Sequence, residues 1–242
     1  MKPFISVIIP VYNSCNTLDE LYSQITKVFN DSFKIEIILV DDGSKDLSFE
    51  RMSLLSKTDR RVKAIRLDGN FGQQNAIMCG LNYSKGEYVV TMDDDLQHPP
   101  QEIHKLYEKI LMGYDAVYGI PQVKKHSLIK NIGSIMTDRL FNLICGKPKD
   151  IRVSSFRIMT RSAVDTIIKD NTPFVYISAI ALKNKMKIGN VTVVHNVRKE
   201  GTSGYSLYKL AKLFFKLYIY YSPMSSLKNK SCSPQYIIKD MD

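Results

Sequence analysis

The chain has 242 residues, of which 44% are hydrophobic and 24% charged, as expected for a soluble globular protein with one large domain or one domain with an appendage. Its 34 basic and 24 acidic residues give a net charge of +10, which favours an anionic partner: a phosphorylated ligand, a nucleic acid or an anionic membrane surface. The four cysteines are scattered without a CxxC pair, which argues against structural zinc and a disulfide framework and favours a reducing cytoplasm. No apolar stretch approaches the roughly 20 residues that cross a bilayer, so we expect neither a membrane span nor a signal peptide.

The first half of the chain alternates between apolar strand patterns and helix patterns. Strands are predicted at 4–9, 35–40, 62–67 and 87–92, and helices near 17–29, 47–57 and 73–84. This order predicts an α/β fold with a mostly parallel central sheet built from right-handed βαβ units and flanked by helices. The second half is less regular, with helices predicted at 99–112, 124–147, 161–170 and 176–184 and strands at 114–119, 153–159 and 190–197.

Polar residues follow each of the first four predicted strands. They are Pro10, Tyr12 and Asn13; Asp41 and Asp42; Asn70 and Gly72; and Asp93, Asp94 and Asp95. Because the carboxyl ends of parallel strands meet at one edge of a sheet, we expect these residues to line a common site. Any one of the four segments fits an ordinary turn, since Asn, Asp and Gly are turn residues. Four in succession, two of them with carboxylates, indicate a ligand site instead.

The Asp93–Asp94–Asp95 run is the strongest signal among these segments. Adjacent carboxylates repel one another, and no fold needs that arrangement for stability. Hard oxygen ligands suit Mg²⁺ or Mn²⁺, and such a cation can in turn hold a diphosphate.

These segments together resemble the family 2 glycosyltransferases of the GT-A fold. The matching motifs are SVIIPVYN (6–13), LVDDGSKD (39–46), NFGQQNA (70–76) and MDDDLQHPP (92–100). Two later blocks, SSFRIMTR (154–161) and HNVRKEGTSGYSLYKL (195–210), are similar to the polyprenyl-phosphate branch, which includes dolichyl-phosphate mannose synthases and bactoprenol glucosyltransferases. The resemblance covers roughly residues 4–215, with the motifs in the order and spacing of the family.

The resemblance implies residue roles. The nucleotide-sugar site would comprise Pro10, Tyr12, Asn13, Asp41, Asp42, Asn70, Gly72, Asp93, Asp94 and Gln97. Asp93 and Asp95 would hold the Mg²⁺ or Mn²⁺ ion and, with Arg198 of the Gly-flanked loop, act on the diphosphate leaving group. The acceptor site would comprise Arg152, Ser155, Arg157, Ser203 and Tyr205, although a structural ion pair is an equally good reading of Arg152 and Arg157.

The implied reaction is an inverting, metal-dependent transfer from a nucleoside-diphosphate sugar, with UDP expected on family grounds, to a polyprenyl phosphate at the cytoplasmic membrane face. Some relatives carry an acidic residue just before the Phe-Arg of the SSFRIM block, where this chain has Ser154 and Ser155. A phosphate acceptor is already an oxyanion and does not need that base, whereas a sugar hydroxyl does. Two alternatives stay open: transfer to a polysaccharide or lipid-linked glycan hydroxyl, and a catalytically silent nucleotide-sugar-binding subunit. A nucleic-acid partner lacks any reading motif.

The C-terminal region is predicted to differ from the catalytic domain, which we place at residues 1–204. Residues 205–222 form a Lys-rich amphipathic helix with Leu207, Leu210, Ala211, Phe214, Phe215 and Tyr218 on its apolar face. Such a helix is typical of peripheral binding to an anionic membrane surface, and it could also support a homo-oligomer, but packing on the domain is the alternative. Residues 223–242 are polar and are predicted to be an irregular, disordered tail.

Overall fold

A computed structural model describes residues 2–29, 32–122, 142, 146–196, 207–222 and 235–242, with the backbone alone at 207–211. Strands and helices alternate along the first half of the chain, as predicted. The elements in chain order are β1 (Phe4–Val11), α1 (Leu18–Phe29), β2 (Lys34–Asp41), α2 (Ser48–Thr58), β3 (Val62–Leu67), α3 (Gln73–Tyr83), β4 (Tyr88–Thr91), a 3₁₀ turn (Pro100–Glu102), α4 (Ile103–Ile110), β5 (Ala116–Pro121), β6 (Arg157–Thr160), α5 (Arg161–Ile167), α6 (Ile177–Lys183), β7 (Ile188–Val193), α7 (Leu207–Tyr221) and β8 (Ile238–Met241).

The strands form a mixed sheet in the order β7-β5-β6-β4-β1-β2-β3-β8. Strands β4, β1, β2 and β3 are parallel to one another, and β5 is parallel to β7. The two antiparallel exceptions are β6, which lies between β4 and β5, and β8, which pairs with β3. This arrangement confirms the predicted α/β fold with a mostly parallel sheet.

The two faces of the sheet are covered by different helices, because successive strand residues point to opposite sides. On β1, Val7 and Ile9 pack in one apolar cluster with side chains of α1, α2 and α4. Ile8, between them, packs in the other cluster with side chains of α3, α5, α6 and α7. Strands buried on both faces explain the nearly continuous apolar runs in the sequence.

Helix α7 docks on the domain through Leu217 and Tyr221, which lie outside the predicted apolar face, together with Phe214 of that face. Leu217 and Tyr221 are buried in the cluster that includes α3 and α6, whereas Phe215 is 62% and Tyr218 45% exposed. The Tyr221 hydroxyl donates to the Phe174 carbonyl at 2.6 Å. Because aromatic residues occur all round this helix, its sequence does not specify which side the domain covers.

The prediction of an irregular tail is wrong for its last residues. Residues 238–241 form β8, which pairs antiparallel with β3, and Ala64 and Asp242 exchange backbone hydrogen bonds of 2.9 Å. The Gln235 amide donates to the carbonyls of Asp170 and Thr172, at 3.1 and 3.0 Å. Partners more than 60 residues away along the chain hold this segment, so its own composition does not reveal it.

The strand predicted at 153–159 begins only at Arg157. Ser154 turns its hydroxyl to the Gly119 carbonyl at 2.9 Å and to the Phe156 carbonyl at 2.8 Å. Residues 153–155 therefore form a loop before the strand, and this loop lines the cleft described next.

Candidate active site

A cleft of about 650 Å³ opens at the carboxyl ends of β1, β2 and β4, beside the start of β6. Its position agrees with the rule that ligands of open α/β sheets bind outside the carboxyl ends of the strands. The lining residues are Pro10, Val11, Tyr12, Asp42, Asn70, Gly72, Gln73, Gln74, Asp93, Asp94, Asp95, Val153, Ser154, Ser155, Arg157, Tyr176 and Ser178.

One side of the cleft is built by the loops after β1, β2 and β3. The Asp42 carboxylate accepts hydrogen bonds from the backbone N–H of Phe71 at 2.7 Å and of Gly72 at 2.9 Å, which joins the second loop to the third. Gly43 has a φ of +73°, and a Cβ there would lie 2.6 Å from the Gly69 carbonyl carbon. Only glycine allows the two loops to approach this closely.

Two predicted nucleotide-binding residues, Asn13 and Asp41, form hydrogen bonds within these loops and do not line the cleft. Asn13 has a φ of 54° and accepts a hydrogen bond from the Lys45 backbone N–H at 2.8 Å. Asp41 is fully buried, accepts from the Ser44 backbone N–H at 2.9 Å, and lies 3.4 Å from the Arg66 guanidinium. The structure thus places Asp42, and not Asp41, at the cleft.

The three consecutive aspartates point to different partners. Asp93 accepts from the Gln73 amide at 2.6 Å and from the Ser155 hydroxyl at 2.5 Å. Asp94 turns the other way and accepts from the Tyr12 backbone N–H at 3.2 Å. The triplet therefore lies between the β1 loop on one side and the β6 loop on the other.

Burial and mutual repulsion perturb two of the cleft carboxylates. Burial, with a smaller contribution from the charges of Asp93 and Asp95, raises the pKa of Asp94 to about 6 against the opposing hydrogen bonds from Ser14 and Tyr12. Burial likewise raises the pKa of Asp42 to about 6, opposed by the hydrogen bonds from Phe71 and Gly72. A cation or a hydrogen-bond donor brought into the cleft would therefore stabilise the charged form of both carboxylates.

The donor set fits a divalent cation held partly by substrate. Asp93 and Asp95 supply carboxylate oxygens, and each carboxylate has about four acceptor positions, so the hydrogen bonds they accept leave room for a metal. No group of three or more His, Cys, Asp or Glu side chains with metal-site geometry occurs among the described residues. Mg²⁺ commonly binds through only one or two carboxylates together with substrate phosphates and water. The residues present therefore fit such an ion.

The opposite side of the cleft comes from β6 and the start of α6. Ser155, Arg157, Tyr176 and Ser178 line it, and Arg157 is only 1% exposed. Tyr176 and Ser178 were not predicted, because nothing in the pattern near residue 177 distinguishes a cleft helix from any other. Gln73 and Gln74 were missed although they lie within the NFGQQNA motif.

Arg152 and Gln97 lie beside the cleft and do not line it. The Asn190 side chain accepts from the Arg152 N–H and donates to its carbonyl, both at 2.8 Å, which fixes the loop before β6. The Gln97 carbonyl accepts from the Asn196 N–H at 2.8 Å. Among the described residues, no acidic side chain forms an ion pair with Arg152 or Arg157.

The remaining predictions are divided between the cleft and the region that the structure leaves out. Pro10, Tyr12, Asn70 and Gly72 line the cleft as predicted for the nucleotide side. Arg198, Ser203 and Tyr205 lie outside the described residues, as does most of the basic stretch at 124–147. The predicted roles of all these residues stay predictions.

Comparison with protein families identifies the class. The family described as "Glycosyl transferase family 2" matches residues 6–168, which include all four strand-end motifs and the whole SSFRIMTR block. The chain belongs to this family, as the motifs in the sequence indicated.

The similar curated proteins share a name that is more specific than the family. Undecaprenyl-phosphate 4-deoxy-4-formamido-L-arabinose transferase from Edwardsiella ictaluri is 35% identical over 216 residues, covering 88% of this chain and 66% of the relative. The protein of the same name from Klebsiella pneumoniae is 33% identical over 215 residues, with the same coverage of both chains. This chain thus spans just under two thirds of the length of these relatives.

Solved structures share the fold at low identity. A glucosyl-3-phosphoglycerate synthase from Mycobacterium tuberculosis, in complex with Mn²⁺, UDP and glucosyl-3-phosphoglycerate, superposes with a TM-score of 0.63 at 18% identity, covering 89% of this chain and 77% of that one. The same enzyme with phosphoglyceric acid gives a TM-score of 0.66 at 16% identity, with coverages of 90% and 79%. These matches confirm the GT-A fold. Among the described residues, no helix combines the length and apolarity needed to cross a membrane.

Proposed function

We propose that this chain transfers a sugar from a nucleoside-diphosphate sugar, with UDP the expected nucleotide, to a polyprenyl phosphate. The observation that carries the proposal is the cleft itself: a carboxylate triplet lies between the loops after β1, β2 and β3 and a wall at β6 formed mainly by serines, Tyr176 and Arg157. The undecaprenyl-phosphate sugar transferases among the similar proteins support the acceptor, and the Mn²⁺–UDP complex of the structural neighbour supports the donor and the metal.

In the proposed mechanism, Pro10, Tyr12, Asn70 and Gly72 bind the nucleotide, and Asp93 and Asp95 would hold Mg²⁺ or Mn²⁺. The metal, when bound, neutralises charge on the departing nucleoside diphosphate. An acceptor phosphate oxygen attacks the anomeric carbon as the bond to the diphosphate breaks, which inverts the configuration. Because the attacking oxygen is already anionic at neutral pH, the protein must orient it and need not deprotonate it. Arg198 would assist at the leaving group.

The experiment that tests this proposal is nucleoside diphosphate release from a panel of UDP- and GDP-sugars with Mn²⁺, with and without undecaprenyl phosphate in detergent. We expect lipid-dependent release that Asp95→Ala abolishes. Asp165→Ala, a half-exposed carboxylate of α5, is the matched control and should leave release unchanged. Release that needs a glycan hydroxyl instead of the lipid phosphate, or donor binding without turnover on any acceptor, would refute the proposal in favour of one of the two alternatives.

Peripheral attachment to the cytoplasmic membrane face is a second part of the proposal. Phe215, Tyr218 and Ile219 are exposed on α7, next to the exposed side chains of Lys212 and Lys216. Aromatic side chains flanked by lysines suit an anionic lipid interface. We expect co-sedimentation with anionic liposomes that a Phe215→Ser/Ile219→Ser double variant weakens. Met112→Ser, an exposed apolar residue after α4, is the control, and full retention of the wild type in the supernatant would contradict the assignment.

A further inference from the structure

Helix α7 ends in a buried tyrosine that contacts the backbone beside the cleft. Tyr221 is 5% exposed and packs in the apolar cluster that includes side chains of α3 and α6. Its hydroxyl donates to the Phe174 carbonyl at 2.6 Å and accepts from the Tyr176 backbone N–H at 3.2 Å. A hydroxyl can donate and accept at once, so this one atom bridges two backbone groups on either side of Val175. It thereby fixes the segment that leads into α6.

The segment held by Tyr221 belongs to the cleft wall. Tyr176 lines the cleft and directly precedes α6, with an extended backbone of φ −145° and ψ 98°. Its side chain makes no capping hydrogen bond to the helix. The next N–H, that of Ile177, donates to the Gln74 side chain of α3 at 3.1 Å. Side chains of α7 and α3 thus satisfy two successive N–H groups where α6 begins, and they decide where Tyr176 lies.

The hydroxyl of Tyr221, and not its ring, makes the connection to the cleft wall. Phenylalanine would fill the same apolar space, but only tyrosine reaches the two backbone groups. Leu217, one turn earlier on the same side of the helix, is buried as well. Phe215 and Ile219 lie on the opposite side and are exposed. One helix therefore carries both the face proposed for the membrane and the hydroxyl that holds the wall.

We propose that Tyr221 is a positioning residue of the active site, whose hydroxyl holds Tyr176 in the wall that faces the acceptor. This inference rests on the proposed function and deepens it, because it makes α7 part of the catalytic site as well as a membrane contact. The loops after β1, β2 and β3 form the other side of the cleft, so the nucleotide should be affected less than the acceptor. A shift of about 1 Å in a positioning group lowers a rate by up to about 100-fold.

Steady-state kinetics with the full chain test the proposal. Tyr221→Phe should lower kcat/KM for polyprenyl phosphate about tenfold or more at saturating UDP-sugar, and should leave the KM for the UDP-sugar within about threefold. Tyr22→Phe is the matched control, because Tyr22 belongs to α1, donates to Asp59 at 2.8 Å and does not line the cleft. Both variants lose a tyrosine hydrogen bond and should lose about 2–6 °C in Tm, but the control should keep both kinetic constants.

Two kinetic results would overturn the proposal. An unchanged kcat/KM in Tyr221→Phe, together with the same loss of Tm as in Tyr22→Phe, would show that the hydroxyl serves stability alone. An equal rise in the KM values for both substrates would show that the whole cleft is distorted and that Tyr176 is not the residue through which Tyr221 acts.

A double-mutant cycle tests directly whether Tyr221 acts through Tyr176. Tyr176→Ala should lower kcat/KM for polyprenyl phosphate on its own. Adding Tyr221→Phe should lower it no further, because the side chain that the hydroxyl positions is already missing. Losses that multiply would mean that the two residues act independently, which contradicts the proposal.

A fluorescence reporter keeps failure of this inference distinct from failure of the proposed function. The chain contains no tryptophan, so Tyr176→Trp places a single one in the cleft wall. Its emission maximum and its quenching by acrylamide should change when Tyr221→Phe is added and stay the same when Tyr22→Phe is added. That result in a protein that transfers no sugar would support the positioning by Tyr221 and refute the transferase assignment. Transfer to polyprenyl phosphate with both the reporter and kcat/KM indifferent to Tyr221→Phe would do the reverse.

Discussion

The buried carboxylate of Asp42 makes the stability of the protein depend on pH in a predictable way. Asp42 is 4% exposed and holds the β2 and β3 loops together through the backbone N–H groups of Phe71 and Gly72. Burial raises its pKa from the usual 3.8 to about 6 in the folded protein. Asp42→Asn removes this titration while retaining one carbonyl oxygen as an acceptor.

The direction of the effect follows from the raised pKa. Folding favours the protonated form of Asp42, so its contribution to stability is complete below pH 3.8 and is lost as pH rises through about 6. At roughly 1.4 kcal/mol for each pH unit between the two pKa values, the loss totals about 3 kcal/mol. For a domain of this size, that corresponds to about 6–12 °C in Tm.

The assay is urea unfolding of wild type and Asp42→Asn between pH 4 and 8, expressed as a difference between the two proteins. The difference is needed because a second buried group titrates in the same range. Burial lowers the pKa of His98 to about 4, so its contribution to the free energy of unfolding is lost as pH falls. In the wild-type curve this loss opposes the gain from Asp42. We expect the variant to gain about 2.5 kcal/mol on the wild type between pH 4 and pH 7, because a small part of the change lies below pH 4.

A matched control exists in Asp59, whose pKa the Arg61 guanidinium holds at about 2. Its stabilising contribution is present above pH 3.8 and lost only as pH falls toward 2, so the Asp59→Asn difference should be flat from pH 4.5 upward. A flat difference for Asp42→Asn as well would show that its carboxylate is not destabilised by burial, and the reasoning would be refuted.

Three further predictions concern the cleft. Ser155→Ala removes the hydroxyl that donates to Asp93 and should lower kcat/KM about 10- to 100-fold with little change in Tm; an unchanged kcat/KM would show that this hydrogen bond does not orient the carboxylate. Gly43→Ala should cost about 2–4 kcal/mol in urea unfolding, because the new Cβ meets the Gly69 backbone, whereas Gly146→Ala, at a φ of +62° in open space, should cost about 1 kcal/mol. EDTA should abolish nucleoside diphosphate release and added Mn²⁺ restore it, and release that persists in EDTA would contradict a role of Asp93 and Asp95 in metal binding.

The first half of the fold could be predicted because each of its strands and loops is specified by a short stretch of neighbouring residues. Each strand there is an apolar run buried on both faces, and each is followed by a polar loop whose position at the sheet edge is fixed by the parallel topology. Asp93 and Gly72 reached the cleft for that reason. Asp41 and Asn13 belong to the same loops, but which of two adjacent polar residues lines the cleft depends on backbone geometry that the pattern does not contain.

The β6 wall could be predicted only in part, because it is assembled from distant segments. The SSFRIM motif indicated Ser155 and Arg157, but the burial of Arg157 depends on Tyr118 and Ser178, which come from β5 and α6. Helix α7 presents the same difficulty, since aromatic residues all round it leave the docking face undetermined until Tyr221 meets Phe174.

The short strand β8 determines what kind of edge the sheet presents to other molecules. Without it, β3 would expose a row of unpaired N–H and C=O groups along the apolar sequence Val62–Leu67, a template for pairing with another chain. β8 covers that row and replaces it with an outer strand on which Lys239 and Asp240 are exposed. Charged side chains on a short edge strand discourage further strand addition. Residues 238–241 thereby protect this edge of the sheet against edge-to-edge aggregation.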